Sequence, residues 1–211
     1  TDRRKGSSLG AYESLNLGFH VGDDPSAVST NRASLGNTQF MNQVHGDVVV
    51  VIDQVLDYEP TCDALITTNK DVSLAVMVAD CIPLLLISEK AVAAVHVGRA
   101  GLINKVAIKA LSVMKELGAI DVHAILGPSI CGRCYEVPLK MQQEVIADHP
   151  AALSTTRIGT PALDLSAALV AELVAEGVSY EASPICTVED LLYYSYRRDN
   201  QTGRFAGVVS L

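Results

Sequence analysis

The middle of the chain contains three short apolar runs that are separated only by brief polar breaks. The runs are Val72–Val78, Pro83–Ile87 and Ala91–Val97. Their length suits strands better than helices, and their lack of polar alternation is typical of strands that are covered on both faces. A sheet of this kind needs additional layers on each side, so this stretch constrains the fold more than any other.

The rest of the chain supplies both strands and helices around that sheet. Strands are predicted at 48–52, 61–68 and 122–126, and a final strand follows a turn at Asp199–Gly203. Helices are predicted at 25–35, 102–117, 138–148 and 163–176, with Pro25 at the first helical position and Gly118 and Gly177 as stops. No repeat or linker divides the chain. We therefore expect one compact α+β domain over residues 1–211, with mixed sheets and helices packed on the outer faces.

Charge and composition exclude several classes of function. The chain has 211 residues and a net charge of −8, without the basic stripes that nucleic-acid binding requires. The same acidity argues against an anionic membrane surface, and no apolar run reaches the ~20 residues of a membrane span. The N-terminus lacks a signal-peptide pattern, and an odd count of five Cys is not typical of a disulfide framework. We expect a cytoplasmic monomer with reduced thiols.

One thiol and two imidazoles occur where these strands begin or end. Cys81 follows the first apolar run, His96 lies at the end of the third, and His45 precedes the VVVVI strand. Three protein ligands with one exchangeable position form the catalytic arrangement of zinc, in which a bound water becomes a nucleophile. The alternative is a buried thiol beside two hydrogen-bonded core histidines. A blue-copper centre also uses two His and one Cys, but it needs an axial ligand such as Met, and Met77 lies ~13 Å from Cys81 along an extended chain.

A second group of thiols, Cys131 and Cys134, forms a C-x-x-C pair in the loop GPSICGRCYEVP. A structural zinc site needs a second Cys or His pair at similar spacing, and no such pair is visible. A redox C-x-x-C normally opens a helix in a βαβ unit, which this loop does not. The sequence therefore favours neither a metal nor a redox role for this pair.

Eight segments together resemble one known family along nearly the whole chain and in order. They are SLNLGFHVGDDP, NR, NQVHGDVV, CDALIT, ADCIPLLL, VAAVHVGRAGL, LGPSICGRCYEV and CTVEDLLYYSYRRDNQTGR. They resemble the laccase-domain family, whose members are also called polyphenol oxidases, peptidoglycan editing factors or multifunctional purine nucleoside phosphorylases.

The resemblance implies a zinc site formed by His45, Cys81 and His96. It also implies a purine nucleoside and phosphate as substrates, with phosphorolysis of adenosine, inosine and methylthioadenosine and deamination of adenosine in the same pocket. Cys81 and His96 are then catalytic, together with Asp80 as a candidate proton shuttle. The candidate substrate contacts are Gln43, Arg32, Arg99 and His20.

The chain departs from the family pattern at one motif, and the departure bears on how phosphate is bound. The family motif H-A-G-W-R-G stands here as His96-Val97-Gly98-Arg99-Ala100-Gly101, so Arg99 replaces the Trp and Ala100 replaces the Arg. A guanidinium suits phosphate, and the sequence leaves the choice open among Arg32, Arg99, Arg197, Arg198 and Arg204. Asp47 is a second shuttle candidate, and Tyr194 or Tyr196 is a candidate for stacking on a purine.

Two other functions stay open at this stage. The first is a copper-dependent (Cu²⁺) polyphenol oxidase, although a true laccase needs a trinuclear copper cluster with more imidazoles than the five His of this chain supply. The second is a protein that edits cell-wall precursors and recognises a nucleotide-sugar or muropeptide through its metal pocket. A close variant makes Cys81 a hydrolase nucleophile with His96 as its base.

Overall fold

A mixed six-stranded sheet forms the central layer of the computed structural model, which describes all residues from Thr1 to Leu211. The strands along the chain are β1 Thr38–Gln39, β2 Val49–Ile52, β3 Ala64–Thr67, β4 Ser73–Val78, β5 Ile82–Ile87, β6 Val92–Val97, β7 His123–Leu126, β8 Leu153–Thr155, β9 Pro161–Leu163, β10 Ser179–Ala182 and β11 Phe205–Val209. The helices are α1 Pro25–Ala33, α2 Arg99–Ile103, α3 Val106–Glu116, α4 Leu139–Asp148, α5 Leu165–Ala175 and α6 Tyr196–Asp199. Short 3-10 turns lie at Gly10–Tyr12, Phe19–Val21 and Pro150–Ala152.

The central sheet has the strand order β10-β7-β5-β6-β3-β2. Strands β5 and β6 form an antiparallel hairpin. On its two sides β5 pairs antiparallel with β7, and β6 pairs antiparallel with β3. The edge strands pair in parallel with their neighbours, β10 with β7 and β2 with β3. The apolar runs of β5 and β6 therefore lie in the middle of this sheet. The run of β4, which was predicted to belong to the same sheet, lies instead in a separate sheet. In the β5–β6 pairing Ile82 stands opposite Val97 and Pro83 opposite His96, which brings the residues around Cys81 close to His96.

A second sheet with the order β1-β4-β11 packs on one face of the central sheet. The apolar cluster between the two sheets joins Leu65 and Ala94 of the central sheet to Val76, Phe205 and other buried residues of the second. The outer face of the second sheet is covered by the N-terminal segment through Leu15 and Leu17. This arrangement explains why β4 is apolar on both faces.

Helices α3 and α5 pack on the opposite face of the central sheet and bury the largest apolar cluster of the molecule. Helix α3 contributes Val106, Ala110 and Met114 to it, and α5 contributes Leu169 and Leu173. No helix has both the length and the apolar character of a membrane span. The predicted α+β class, a single compact domain of mixed sheets with helices packed on the outer faces, is confirmed.

The predicted helix over 102–117 was wrong in its continuity and in its start. The chain forms α2 from Arg99 and then breaks at Lys105, whose φ of 58° lies in the left-handed region, before α3 begins. The break redirects the chain so that α2 follows directly from the end of β6. The short strands β1, β8, β9 and β10 were not predicted, because strands of two to four residues are too short to carry a clear periodicity.

Candidate metal centre

His45, Cys81 and His96 meet at one end of the β5–β6 hairpin. His96 lies near the end of β6, Cys81 occupies the three-residue turn between β4 and β5, and His45 lies in the loop before β2. One donor atom from each of the three lies within 4.8 Å of the other two. The His45 Nε2 atom is 3.9 Å from Cys81 Sγ, and the two imidazole rings meet edge to face with their centroids 4.6 Å apart.

A buried carboxylate, Asp63, fixes both histidines. Its Oδ1 accepts a 2.8 Å hydrogen bond from His96 Nδ1 and a 3.0 Å bond from the backbone N–H of His45, and its Oδ2 accepts from the Gly46 N–H at 2.6 Å. His45 needs this support because its φ of 59° is unfavourable for a residue with a side chain. The bond to Nδ1 also leaves His96 Nε2 as the free ligand atom, which is the usual relation of a carboxylate to a metal-binding histidine.

The geometry of the three donors fits a tetrahedral ion such as zinc. Zn–S and Zn–N bonds of about 2.3 and 2.0 Å place sulfur and nitrogen about 3.5 Å apart, close to the 3.9 Å between Cys81 and His45. Gly98 leaves the space beside them open, since a Cβ at this position would lie 2.9 Å from Cys81 Sγ and 3.2 Å from His45 Cδ2. The residues present therefore fit a metal with three protein ligands.

The charges around Cys81 favour the ionised, thiolate form of its side chain. Burial opposes ionisation of Cys81, but the positive charge of His96 and hydrogen bonds from both imidazoles lower the pKa of its thiol to about 6. Burial equally opposes protonation of His96, but the charge of Cys81 and the bond to Asp63 raise the pKa of that imidazole to about 9. Without metal, the cluster holds a thiolate beside an imidazolium, and the thiolate is the form that binds a metal.

Replacing Gly98 by alanine is expected to weaken metal binding without unfolding the protein. The backbone at Gly98 has a φ of −90°, which alanine adopts readily, so the only new feature is a methyl group against Cys81 and His45. We expect a loss of metal affinity of about 10- to 100-fold, the size typical of a disturbed ligand environment. Competition titration with a chromophoric chelator measures it, and an unchanged affinity in a folded variant would show that the ion does not occupy this space.

The pKa values predict how the metal-free thiol reacts with pH. Alkylation of Cys81 by iodoacetamide should rise as pH increases through about 6, rather than near the ordinary thiol value of 9.0. Burial raises the pKa of Cys62, Cys134 and Cys186, so these thiols stay protonated in that range. Peptide mapping of the alkylated sites makes the measurement, with Cys81→Ser as the blank; a half-point near pH 9 at Cys81 would contradict the ion pair.

The three ligands line a cavity of about 500 Å³. Its remaining polar wall is formed by His20, Asn42, Gln43, Glu59, Asp80, Arg197 and Arg204. Its apolar and aromatic wall is formed by Met41, Met77, Val78, Ala79, Ile130, Tyr135 and Tyr196. A cavity of this volume is in the range of small-molecule sites.

The structure places three of the other predicted site residues on this wall. Asp80, with a φ of 95°, directs its carboxylate to the Thr187 hydroxyl at 2.7 Å and to the backbone N–H of Arg197 at 2.7 Å. The amide of Gln43 is held by the backbone of Met77 through two bonds of 2.7 and 2.8 Å. His20 has its pKa lowered by burial and by the nearby charges of Arg204 and Arg32, so its ring is neutral at pH 7.

The candidate arginines separate into two groups. Arg32 is paired with Glu59 and stacked between the rings of Phe19 and Phe40 at 4.4 and 4.0 Å. Arg198 donates to a series of backbone carbonyls and to Asp199, and Arg99 begins α2 away from the cavity wall. Only Arg197 and Arg204 line the cavity.

Two further candidates lie elsewhere. Asp47 pairs with Lys109 near the surface, and Tyr194 is fully buried with its hydroxyl bonded to the Tyr12 carbonyl at 2.6 Å. Tyr196, by contrast, does line the cavity.

Sequence reasoning missed Asp63 and Tyr135 as parts of the site. The signal for Asp63 was a carboxylate directly before the apolar strand β3, where a charged residue is expected only with partners. Tyr135 follows the C-x-x-C pair and carried no signal of its own, since only the fold brings it to the cavity.

Several known proteins are similar to this chain over its whole length. A Streptomyces coelicolor protein named purine nucleoside phosphorylase is 47% identical over 226 aligned positions, which cover 100% of this chain and 93% of the relative. A Corynebacterium glutamicum protein of the same name is 42% identical and is covered to 92%. Among solved structures, a Neisseria meningitidis protein superposes with a TM-score of 0.90 at 36% identity, with 100% of this chain and 92% of that one covered.

The family model described as multi-copper polyphenol oxidoreductase laccase matches residues 1–211. This match confirms the resemblance that the sequence motifs indicated. The chain belongs to the multi-copper polyphenol oxidoreductase laccase family.

Proposed function

We propose that this protein is a zinc-dependent purine nucleoside phosphorylase that acts on adenosine, inosine and methylthioadenosine and also deaminates adenosine. One observation carries the proposal: the ligand set His45, Cys81 and His96 shares its cavity with Arg204, a partly buried arginine without a carboxylate partner. Relatives that are 42% and 47% identical are named purine nucleoside phosphorylases. The five free thiols are in keeping with a reducing, cytoplasmic location, and we expect the enzyme to act as a monomer.

Arg204 and His20 form the proposed phosphate subsite. Arg204 Nη1 donates to the carbonyls of Gly203 and Thr202 at 2.9 and 3.2 Å, and its Nε and Nη2 have no protein acceptor. These two groups form the edge of the guanidinium that binds an oxyanion in a bidentate manner. Burial lowers the pKa of Arg204, and an anion in the cavity offsets that cost.

Other residues that line the cavity suit a nucleoside. Tyr135 and Tyr196 offer aromatic surface to a purine, and Asp80 presents a fixed negative charge beside the ligand cluster. In phosphorolysis a phosphate oxygen forms a bond to C1′ of the ribose while the bond from C1′ to the purine nitrogen breaks. The electron pair goes to the purine, which takes up a proton. Asp80 stabilises the positive charge that develops on the ribose, as a carboxylate does in glycoside cleavage.

The three proposed metal ligands account for the remaining part of the proposed reaction, the activation of the substrate. His45, Cys81 and His96 would hold the zinc ion, which when bound supplies Lewis-acid polarisation of a substrate oxygen. Asp63 holds both histidines at fixed positions during the reaction. Deamination of adenosine in the same cavity needs water as the co-reactant instead of phosphate, with Asp80 as the candidate carrier of the proton.

Replacing Arg204 by glutamine is expected to raise the KM for phosphate by about 10- to 100-fold, the value of one or two charged hydrogen bonds. The KM for the nucleoside should change less, because the purine is expected to contact Tyr135 and Tyr196. Arg99→Gln is the matched control, since Arg99 lies outside the cavity wall. Initial rates at varied phosphate measure the effect, and equal changes in both variants would remove Arg204 from the phosphate subsite.

Product analysis tests the proposed function. The zinc-loaded protein is incubated with adenosine in the presence and absence of phosphate, and the products are separated by chromatography. Adenine and ribose 1-phosphate that form only with phosphate support phosphorolysis, and inosine formed without phosphate supports deamination. Oxidation of a phenol by copper-loaded protein, without any nucleoside product, would replace the proposal by the oxidase function.

A thiol hydrolase is a second candidate because of one observation. Cys81, His96 and Asp63 form a chain of nucleophile, imidazole and carboxylate, and the Cys81 pKa of about 6 is typical of an activated thiol. This function predicts that metal removal increases activity, whereas the phosphorylase predicts that it abolishes activity. A laccase-type trinuclear copper cluster has less support, because His123 and His149 lie outside the cavity and leave only His20, His45 and His96 there.

A further inference from the structure

A second cluster of metal-ligand side chains lies outside the centre described above. Cys131, Cys134 and Cys186 have sulfur atoms that all lie within 4.8 Å of one another, and none is in a disulfide. Glu189 joins them, with its Oε1 atom 3.6 Å from Cys134 Sγ. We propose that these four residues form a second, structural metal site of the zinc type.

The two backbone turns that carry the cluster have the same hydrogen-bonding pattern. In the first turn the N–H groups of Cys134 and Tyr135 both donate to the Cys131 carbonyl, at 3.0 and 3.1 Å. In the second, the N–H groups of Glu189 and Asp190 both donate to the Cys186 carbonyl, at 3.1 and 2.9 Å. Two matching turns therefore present the pairs C-x-x-C and C-x-x-E toward each other.

These two pairs complete the ligand count of a closed zinc site. Structural sites have four protein ligands, with pairs separated by two residues on each of two turns. The sequence alone does not show a partner for the C-x-x-C pair, because the partner pair ends in Glu189 instead of a second Cys or His. Only the fold brings position 189 beside position 134, since the two turns are 55 residues apart in sequence.

The distances fit the proposed ion. Tetrahedral Zn–S bonds of about 2.3 Å place sulfur atoms about 3.8 Å apart, and a sulfur and a carboxylate oxygen about 3.6 Å apart. The first value lies within the 4.8 Å limit that the three sulfurs satisfy, and the second equals the distance from Glu189 Oε1 to Cys134 Sγ. Glu189 does not lie within that limit of all three sulfurs, so its carboxylate would turn toward the ion as the ion binds. The backbone N–H of Cys131 also donates to Cys186 Sγ at 3.3 Å, which stabilises negative charge on that sulfur.

A disulfide explains the cluster less completely. One disulfide uses two of the three thiols and gives no role to the carboxylate beside them. Arg157 is paired with Glu189 and offsets the negative charge that thiolates and carboxylate together bring to the site. Metal binding takes three protons from the thiols and needs no oxidant.

The proposed ion ties together two segments that form one wall of the large cavity. The first segment carries Ile130 and Tyr135, and the second leads to Tyr196 and Arg197. The guanidinium of Arg197 lies 5.1 Å from the Tyr135 ring and donates to the Glu136 carbonyl at 2.8 Å. The ion therefore fixes the wall against which we place the nucleoside, although the metal assignment itself does not rest on that function.

Metal counting on purified variants tests this site. The full chain is purified in reduced form without chelators, and metal per chain is measured by plasma mass spectrometry. We expect two ions in the unaltered protein, one in Cys81→Ala, one in Cys134→Ser and none in the double variant. Cys62→Ala, which removes a buried thiol from neither cluster, should keep both ions.

Cobalt spectra and thermal unfolding give readouts that do not depend on activity. Cobalt bound to Cys81→Ala should show strong sulfur-to-cobalt absorption, and Glu189→Gln in that background should alter the ligand-field bands. Chelation should lower the melting temperature of Cys81→Ala but not that of Cys81→Ala with Cys134→Ser, a comparison that also shows whether the variants fold. Three results would overturn the proposal. The first is Cys81→Ala protein that contains no metal, and the second is a Cys131–Cys134 disulfide in the reduced preparation. The third is copper at this site with an affinity that Glu189→Gln does not change.

Discussion

Replacing Cys81 by alanine is expected to remove the ion at the His45–Cys81–His96 centre and to reduce nucleoside cleavage to the background level. The substitution removes the only negatively charged ligand of the three and leaves two imidazoles, one of which is bound to Asp63. Because the thiol lies at the cavity wall, we expect little change in the free energy of unfolding of the metal-free protein. Metal content and rate of adenosine cleavage are measured on the same preparation.

A second substitution at the same position separates the two possible roles of the thiol. Cys81→Asp keeps a ligand that zinc accepts but removes the sulfur nucleophile. If the protein is a phosphorylase, the variant should bind part of the normal amount of metal and keep the same fraction of the activity. If it is a thiol hydrolase, the variant should be inactive at any metal content. A Cys81→Ala variant with full metal content and full activity would show that the ligand set is wrong.

Replacing Asp63 by alanine is expected to have the second largest effect, on stability as well as on metal binding. The substitution leaves the N–H groups of His45 and Gly46 without their acceptor and the buried His96 without its carboxylate. Breaking a buried ion pair by removal of one partner costs about 3–5 kcal/mol of unfolding free energy. Denaturant unfolding of the metal-free variant measures it.

Two further variants, Asp63→Asn and Asp47→Ala, are the controls for the Asp63→Ala measurement. Asn keeps the volume of the side chain, so the protein should fold while metal affinity falls by about 10- to 100-fold, because His96 is no longer oriented by a charge. Asp47 is half-exposed and pairs only with Lys109, so its loss should cost about 0–1 kcal/mol. Equal destabilisation by Asp63→Ala and Asp47→Ala would contradict the role given to Asp63.

The parts of this protein that could be predicted from sequence are those with strong local patterns. The strands around Cys81 and His96 are apolar on both faces, and the motifs around His45, Cys81 and His96 carried the family resemblance, which led directly to the ligands. The break at Lys105 could not be predicted, because the apolar spacing of the helix runs through it and only the backbone turn beyond β6 requires it.

The parts that sequence could not give depend on contacts between distant segments. Arg204 was one of five candidate arginines, and it is selected because Arg32 is paired with Glu59 and Arg198 with Asp199. Arg99 lies outside the cavity, and Arg197 packs on the Tyr135 ring. Asp63 orients ligands on two other segments, so no spacing in the sequence marks it. The partner of the C-x-x-C pair was hidden for the same reason, since Glu189 becomes adjacent to Cys134 only in the fold.

Removal and return of the metal tests the central proposal most directly. The Cys134→Ser protein, which lacks a ligand of the proposed second site, is stripped by a chelator and titrated with zinc while adenosine and phosphate are present. We predict that formation of adenine and ribose 1-phosphate is absent in the stripped protein and rises in proportion to bound zinc until one ion per chain is bound. Full activity of the stripped protein, or zinc binding without any return of these products, would contradict the proposed function.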